Sequence, residues 1–467
     1  MPYQGAHILN RKQNRFRWLL AGLGLWLAFE RPLATHHFAD ADTGSANWPL
    51  VSELSLTFQP LTQRQALQTK ISLPPPCIKP RFNALVVPNA QRPFRHREQT
   101  SINLGERRAA YFGTLHSHTA ASDGEGEVAD AYRYARLKAR LDFFAVTDHP
   151  EYWLFRHQDA YEQQKVVAAA AARPGFVPLV GFEYSHLSLG HYVVLNTATV
   201  HQAFDGNLQT FYDWLKRPEQ KDALVMFAHP GFHDYRFAYE FAHFRFDPAL
   251  KQQFVGLEVV HWNEYLRYFR GFFGVLPYID EAIAQGWWVG AAASQDIHFA
   301  NWGTRDPTRI AMLLPELSRT EINAALRQRH FYATTNRDLQ FSVNAERLDH
   351  SWAMMGDHVY GDQLQPNQVT IKVRFYDHHC EERPMRLEAV LAGNVIATYD
   401  FPAPLLGGAP APHAGEFTLL LPLDRMHLPS SFPLYFRFYQ GAERATFTAS
   451  SALFFDLSAH SPASRRP

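Results

Sequence analysis

From residue 111 onward, short apolar runs alternate with stretches whose apolar residues recur every three or four positions. YFGTLH, DFFAVT, FVPLVGFEY, HYVVLN, ALVMFAH, FVGLEVV and WWVGAAAS read as buried strands. Between them GEVADAYRYARLKARL, HQDAYEQQKVVAAAAA and LPYIDEAIAQ read as helices, with Val128, Ala131, Ala135 and Ala139 on one helical face of the first. Strands alternating with helices predict parallel pairing, in an open sheet or a barrel. The alternation ends in a helix over 319–329. After Thr335 the period changes. QFSVNAERL, QVTIKVRFYD, RLEAVLAG, NVIATYDF, EFTLLLPL, LYFRFYQG and TFTASSALFF are short alternating runs broken by turn signals. They predict an antiparallel β-sandwich of about 115 residues. Upstream, residues 42–107 centre on Pro74-Pro75-Pro76 and predict an irregular extension with one or two strands, such as LVSELSLTF. Residues 458–467 read as a disordered tail. No internal repeat is present.

At the N-terminus, Arg11, Lys12, Arg15 and Arg17 precede the apolar run WLLAGLGLWLAF at 18–29, and Ala39-Asp40-Ala41 offers a small-x-small cleavage pattern. A run of this length suits a signal peptide and is short for a membrane span. The expectation for residues 1–41 is export, periplasmic or secreted; an uncleaved membrane anchor and a buried N-terminal helix are the alternatives. Composition narrows the chemistry. The 467 residues carry 45 basic and 45 acidic side chains, so the formal net charge is zero and a broad nucleic-acid footprint is not expected. Histidines number 24 against two cysteines, Cys77 and Cys380. That count excludes a disulfide scaffold and an all-thiolate metal site, so any metal must be held by imidazole and carboxylate.

The histidines are organised. The first run ends in His116-Ser117-His118, with Asp123 in a Ser122-Asp123-Gly124 turn. The second ends in Thr147-Asp148-His149, the third in Gly181-Phe182-Glu183, and His191 opens the fourth. Ala228-His229-Pro230-Gly231 and Gln295-Asp296-Ile297-His298 close two more. In H-x-H and D-x-H, side chains two apart lie on one side of a strand and can grip one ion. In a β/α barrel, groups at the C-terminal strand ends converge on one face.

In that order, HSHTAASDG, AVTDH, GFE, GH, AHPG and QDIH resemble the PHP superfamily of metal-dependent hydrolases. SLGHYVVLNT, GWWVGAAASQDIHFANWGT and INAALRQRHFYATTNRDLQFSVNAERL look most like its carbaryl-hydrolase-like branch. The resemblance covers 111–356 strongly and the sandwich loosely. It implies a distorted (β/α)7 PHP-type barrel over 108–338, followed by the β-sandwich over 339–457. It also implies two or three divalent metal ions, zinc, manganese or iron. Carried over residue by residue, His116, His118, Glu183 and Asp296 would hold one ion, and Glu183, His191 and His229 a second. Asp123, His149 and His298 would hold a third, with His186 the competitor to His191.

Two ions about 4 Å apart that share a carboxylate can share a hydroxide nucleophile. The expected reaction is hydrolysis of a phosphoester in a small, anionic substrate. A carboxyl ester, amide or carbamate is the alternative bond, and a non-catalytic exported metal-containing binding protein the alternative class. Around the ligands, Asp148 reads as a ligand-orienting group or proton acceptor, or as a cap or turn residue. His233 reads as an acid at the mouth or a surface histidine. Arg305 and Arg309 read as an anion clamp or as loop charges. Asp377-His378-His379-Cys380 reads as a polar turn or a second metal site.

Overall fold

The computed structural model describes residues 54, 56–60, 102–103, 107–153, 159–186, 189–202, 207–231, 241–261, 276–377, 383–402, 414–423, 428–441, 446–458 and 460. By internal packing the chain divides into 1–49 and 50–467, and everything below concerns the second unit. The N-terminal apolar run, both cysteines, His233, His378, His379 and residues 461–467 lie outside the described residues. Among the described residues, no helix is long and apolar enough to cross a membrane.

The extension contributes β1 (Leu56–Pro60) and β2 (Ile102–Asn103). Nine strands follow: β3 (Arg107–Thr114), β4 (Phe143–Val146), β5 (Val177–His186), β6 (Gly190–Leu195), β7 (Leu224–Ala228), β8 (Phe254–His261), β9 (Gly290–Ser294), β10 (Arg309–Leu314) and β11 (Phe331–Thr334). The main helices are α1 (Val128–Leu137), α2 (Ala160–Ala171), α3 (Leu208–Leu215), α4 (Leu276–Ala284) and α5 (Arg319–Gln328). Four of these helices were expected; α3 was not, and neither were β10 and β11. The helix α5 starts at Ser318, whose hydroxyl accepts the Glu321 N–H, and stops at Arg329 in a left-handed conformation.

Pairing is parallel through β3, β4 and β5, and again through β7, β8 and β9. The expectation of uniformly parallel strands fails at β6, which runs antiparallel to both β5 and β7. Only residues 187–189 separate β5 from β6, and a parallel return needs a crossover of about a dozen residues. Gly190 makes the turn at a φ of +82°, with the Phe241 ring packed where a Cβ would sit. β10 lies antiparallel to β3 and β11. Beyond the regular strands, one parallel bridge joins Ser117, past β3, to Ile297, past β9. The architecture is therefore mixed α/β around a large sheet, and no hydrogen-bonded ladder closes it into a barrel among the described residues.

Two faces of these strands bury different partners. Phe143, Leu179, Val193, Met226, Ala292 and Met312 pack together and against Ile322, Ala325 and Leu326 of α5. Residues of opposite parity, such as Phe144, Phe182, Val194 and Phe227, pack with the other helices. Burial on both faces explains why these strands read as unbroken apolar runs.

The sandwich comprises β12 (Leu339–Glu346), β13 (Trp352–Met354), β14 (His358–Tyr360), β15 (Gln368–Asp377), β16 (Pro384–Leu391), β17 (Asn394–Asp400), β18 (Ala414–Pro422), β19 (Ser431–Gln440), β20 (Thr446–Ser450) and β21 (Leu453–Asp456). One sheet runs β1-β18-β15-β12-β13, so the extension supplies its edge. TFTASSALFF splits into β20 and β21 at Ser451-Ala452. The second sheet joins the site-bearing sheet, because β20 pairs antiparallel with β11. The sandwich core around Phe341, Phe375, Phe417 and Phe438 also takes in Phe112, Ala311 and Tyr332. Packing thus continues across residue 338.

Candidate metal centre

Neighbouring strands deliver their ends to one place. Along β5, Leu179 and Glu183 share a face, so Glu183 stands above the apolar interior on the side where Leu179 fills it. His191 repeats this on β6 with Val193 and Leu195. His229 has the opposite parity on β7 and is redirected by a positive φ of 29°. Asp296 follows β9 at a φ of 44°. Backbone of this kind is strained for a residue with a Cβ and is tolerated where the surroundings dictate it.

The side chains form three groups whose ligand atoms, within each group, lie within 4.8 Å of one another. The first is His116, His118, Glu183 and Asp296. His116 Nε2 lies 3.1 Å from Glu183 Oε2 and 3.2 Å from Asp296 Oδ1, and His118 Nε2 lies 3.2 Å and 2.9 Å from the same two oxygens. The second is Glu183, His191 and His229: Glu183 Oε1 meets His191 Nδ1 at 2.9 Å and His229 Nε2 at 3.0 Å. Oε1 of Glu183 therefore serves the second group, while Oε2 serves the first and also lies 3.4 Å from His149 Nε2. The third contains Asp123, His149 and His298, with His118 stacked between both imidazoles at 4.4 and 4.2 Å. Here the contacts are looser: His149 Nε2 is 3.7 Å and His298 Nε2 3.5 Å from the Asp123 carboxylate.

The field at this point favours positive charge. Burial, the largest influence on His116, pulls its pKa down, but the Glu183, Asp296 and Glu258 carboxylates lift it well above the ordinary value. His118 is pushed up to about 10, because hydrogen bonding to Asp296 and Glu183 outweighs the same burial. Burial alone would raise Glu183; the charges of His116, His191 and His149 hold it well below the usual carboxylate range. His149 goes the other way: burial dominates and lowers it. The donor set fits divalent cations. A tetrahedral ion with bonds of about 2.0–2.1 Å has ligand–ligand edges of about 3.3 Å. The His116 Nε2 to His118 Nε2 separation is 3.3 Å.

All nine ligand candidates meet in these groups, with His191 rather than His186 beside Glu183. Two neighbours were not foreseen. Glu258, wholly buried on β8, lies 3.0 Å from His116 Nδ1. The Ser185 hydroxyl lies 2.6 Å from His149 Nδ1. A carboxylate inside the apolar run FVGLEVV was the one signal available for Glu258.

The flanking residues sort differently from expectation. Asp148 is wholly buried and accepts hydrogen bonds from the Thr119 N–H and hydroxyl, the Ser122 hydroxyl and the Gln164 amide. These bonds tie Asp148 to the turn that carries Asp123, which fits the orienting and turn readings of this residue; its burial does not fit a proton acceptor open to solvent. Arg309 is a correction. Its guanidinium is buried and donates to the carbonyls of Asp306, Thr308 and Gly303, so it staples the 303–308 loop and offers no clamp. Arg305 stacks over the half-exposed Phe299 ring at 5.1 Å, beside His298 in sequence. Asp377 is buried and accepts from Asn336 and Gln440, a sandwich-core polar network.

A comparison with known protein families finds no match. No curated protein matches either. Two solved structures are similar in part. One is a two-domain protein containing a predicted PHP-like metal-dependent phosphoesterase from Bacteroides vulgatus, 14% identical, covering 74% of this chain and 96% of that one at a TM-score of 0.38. The other is PsfC from Pseudomonas syringae, 15% identical over 45% of this chain and 84% of that one, at a TM-score of 0.32. Likeness of this size carries no functional argument, and the reading below rests on the site itself.

Proposed function

We propose that this protein is a PHP-type metal-dependent hydrolase that cleaves a phosphoester in a small anionic substrate. The observation that carries the reading is Glu183, whose Oε1 faces His191 and His229 and whose Oε2 faces His116 and His118, with His149 at 3.4 Å, the arrangement of a carboxylate shared between ions. We take β3–β9, joined first to last by the Ser117–Ile297 bridge, as a distorted seven-stranded barrel. We read the N-terminal apolar run as an export signal or anchor.

His116, His118, Glu183 and Asp296 would hold one divalent ion, and Glu183, His191 and His229 a second. Asp123, His149 and His298 would hold a third. Bound zinc, manganese or iron would supply Lewis acidity and a nucleophilic water acidified toward neutral pH. The chain's own part is to set where charge gathers. Glu183 and Asp296 hold negative charge deep in the site, and the imidazoles of His116 and His118 pack against both carboxylates. Asp123 and His298, each about one-third exposed, leave the third group facing solvent, where a substrate anion would arrive. Arg305 stands near that edge. A carboxyl or carbamate ester is the second reading, favoured by one observation: Arg309, the other cation expected to grip a phosphate, is committed to backbone carbonyls.

The test is an assay of purified protein against phosphomonoester, phosphodiester and aryl ester panels, with and without chelator, beside a His116→Ala/Glu183→Ala double variant. Phosphate release that needs metal and both residues supports the proposal. Turnover confined to the aryl esters moves it to the second reading, and no turnover on any panel overturns the enzyme reading.

A further inference from the structure

Of the seven strands from β3 to β9, six bring at least one residue to the three groups, on the strand or just past its end: β3, β4, β5, β6, β7 and β9. β8 brings none. It brings Glu258 instead, beneath them. One oxygen of Glu258 lies 3.0 Å from His116 Nδ1, and the other accepts the His229 backbone N–H at 2.8 Å. Its exposure is 0%, and a carboxylate so placed persists only when paired and hydrogen-bonded.

These contacts have two consequences. With Nδ1–H donating to Glu258, a neutral His116 ring carries its lone pair on Nε2, the atom that faces Glu183 and Asp296. Accepting from the His229 N–H holds the left-handed turn that redirects that ring toward Glu183. From these we infer that Glu258 is a positioning residue that sets the ligating nitrogen of His116 and the direction of His229 with one carboxylate. It thereby ties the first and second groups together. Both of these contacts go to ligands of the first and second groups. The inference rests on the metal reading above.

The test uses zinc as the probe. Glu258→Gln is nearly isosteric, but its single amide oxygen can accept from only one of the two donors. Carboxylates that orient metal-bound histidines are worth about 10–100-fold in affinity. Chelator competition is therefore expected to show zinc bound about 10–100-fold more weakly at two sites of the variant, with any third site unchanged. In zinc-loaded protein labelled at histidine nitrogen, the His116 Nδ1–H resonance is expected to shift or vanish and the Nε2-metallated pattern of His116 to be lost or mixed, which a purely structural role would leave in place. Unchanged affinity and resonance in folded Glu258→Gln overturn the inference and leave the metal reading intact. Wild type that takes up no zinc, manganese or iron overturns both. Should Glu258→Gln not fold, Glu258→Asp decides: the shorter carboxylate is expected to weaken zinc binding, and wild-type affinity there overturns the inference.

Discussion

The inner and outer halves of the candidate centre are built differently. In the inner half, His116, His118, Glu183, Asp296, His191 and His229 sit on strand ends over an apolar floor, and Glu183 is 2% exposed. Contacts there run from 2.9 to 3.2 Å. In the outer half, Asp123 sits in a turn and His298 just past the Ile297 bridge; both are about one-third exposed, and they stand 3.5 Å apart. The inner half is preorganised by the sheet; the outer half is held by the turn that Asp148 anchors. On the proposed metal reading, tight ion binding is expected of the first and exchange with solvent and substrate of the second.

The largest expected effect is therefore at Glu183, which both inner groups share. Glu183→Ala is expected to lose both inner ions and lower turnover at least about 1000-fold, several kcal/mol of transition-state stabilisation. Metal analysis and kinetics on one preparation check it, and retention of two ions would erase the distinction. Next is Asp123→Ala. It is expected to spare the inner ions and lower turnover about 10–100-fold, and loss of all metal together would show one indivisible cluster.

Proton release sharpens the comparison. With no metal bound, His118 keeps its proton up to about pH 10, whereas burial lowers His149. Zinc added at pH 8 is expected to release at least one proton per chain, read in weakly buffered solution, and Asp123→Ala is expected to leave that release intact. For stability the sign follows from a folded-state pKa above the unfolded value. The His118 pairing stabilises the metal-free fold fully below about pH 6.5, and that contribution fades as pH rises through about 10.

Asp148→Asn comes fourth. A neutral amide cannot accept from all four donors, so a loss of about 2–3 kcal/mol in unfolding free energy is expected, with the outer ion weakened more than the inner pair. Arg305→Ala is the smallest. A cation over an exposed ring is worth about 0.5–1 kcal/mol. Its KM for an anionic substrate is expected to rise less than tenfold at unchanged kcat, and a large drop in kcat would move Arg305 into the reacting site.

The inner half was also the more legible in sequence. Strand periodicity is two, so H-x-H states which side chains share a face, whereas Asp296 and His298 of D-x-H part to different groups; four of the five main helices followed from apolar spacing. What stayed hidden depends on direction in space. Glu258 looked like one polar interruption in FVGLEVV until β8 was placed between β7 and β9. Arg309 sat at the right distance along the chain, but its guanidinium turns inward to carbonyls that no sequence pattern marks. β6 reversed because a three-residue connection overrode the alternation of strands and helices, and β11 joined β20 across the expected boundary by long-range pairing.

Anomalous diffraction from crystals grown with manganese or zinc tests the central claim most directly. The account predicts strong peaks on both sides of Glu183, within bonding distance of His116 and His118 and of His191 and His229, and a weaker, exchangeable peak among Asp123, His149 and His298. Density maps with no anomalous peak on either side of Glu183 in metal-saturated crystals would contradict it.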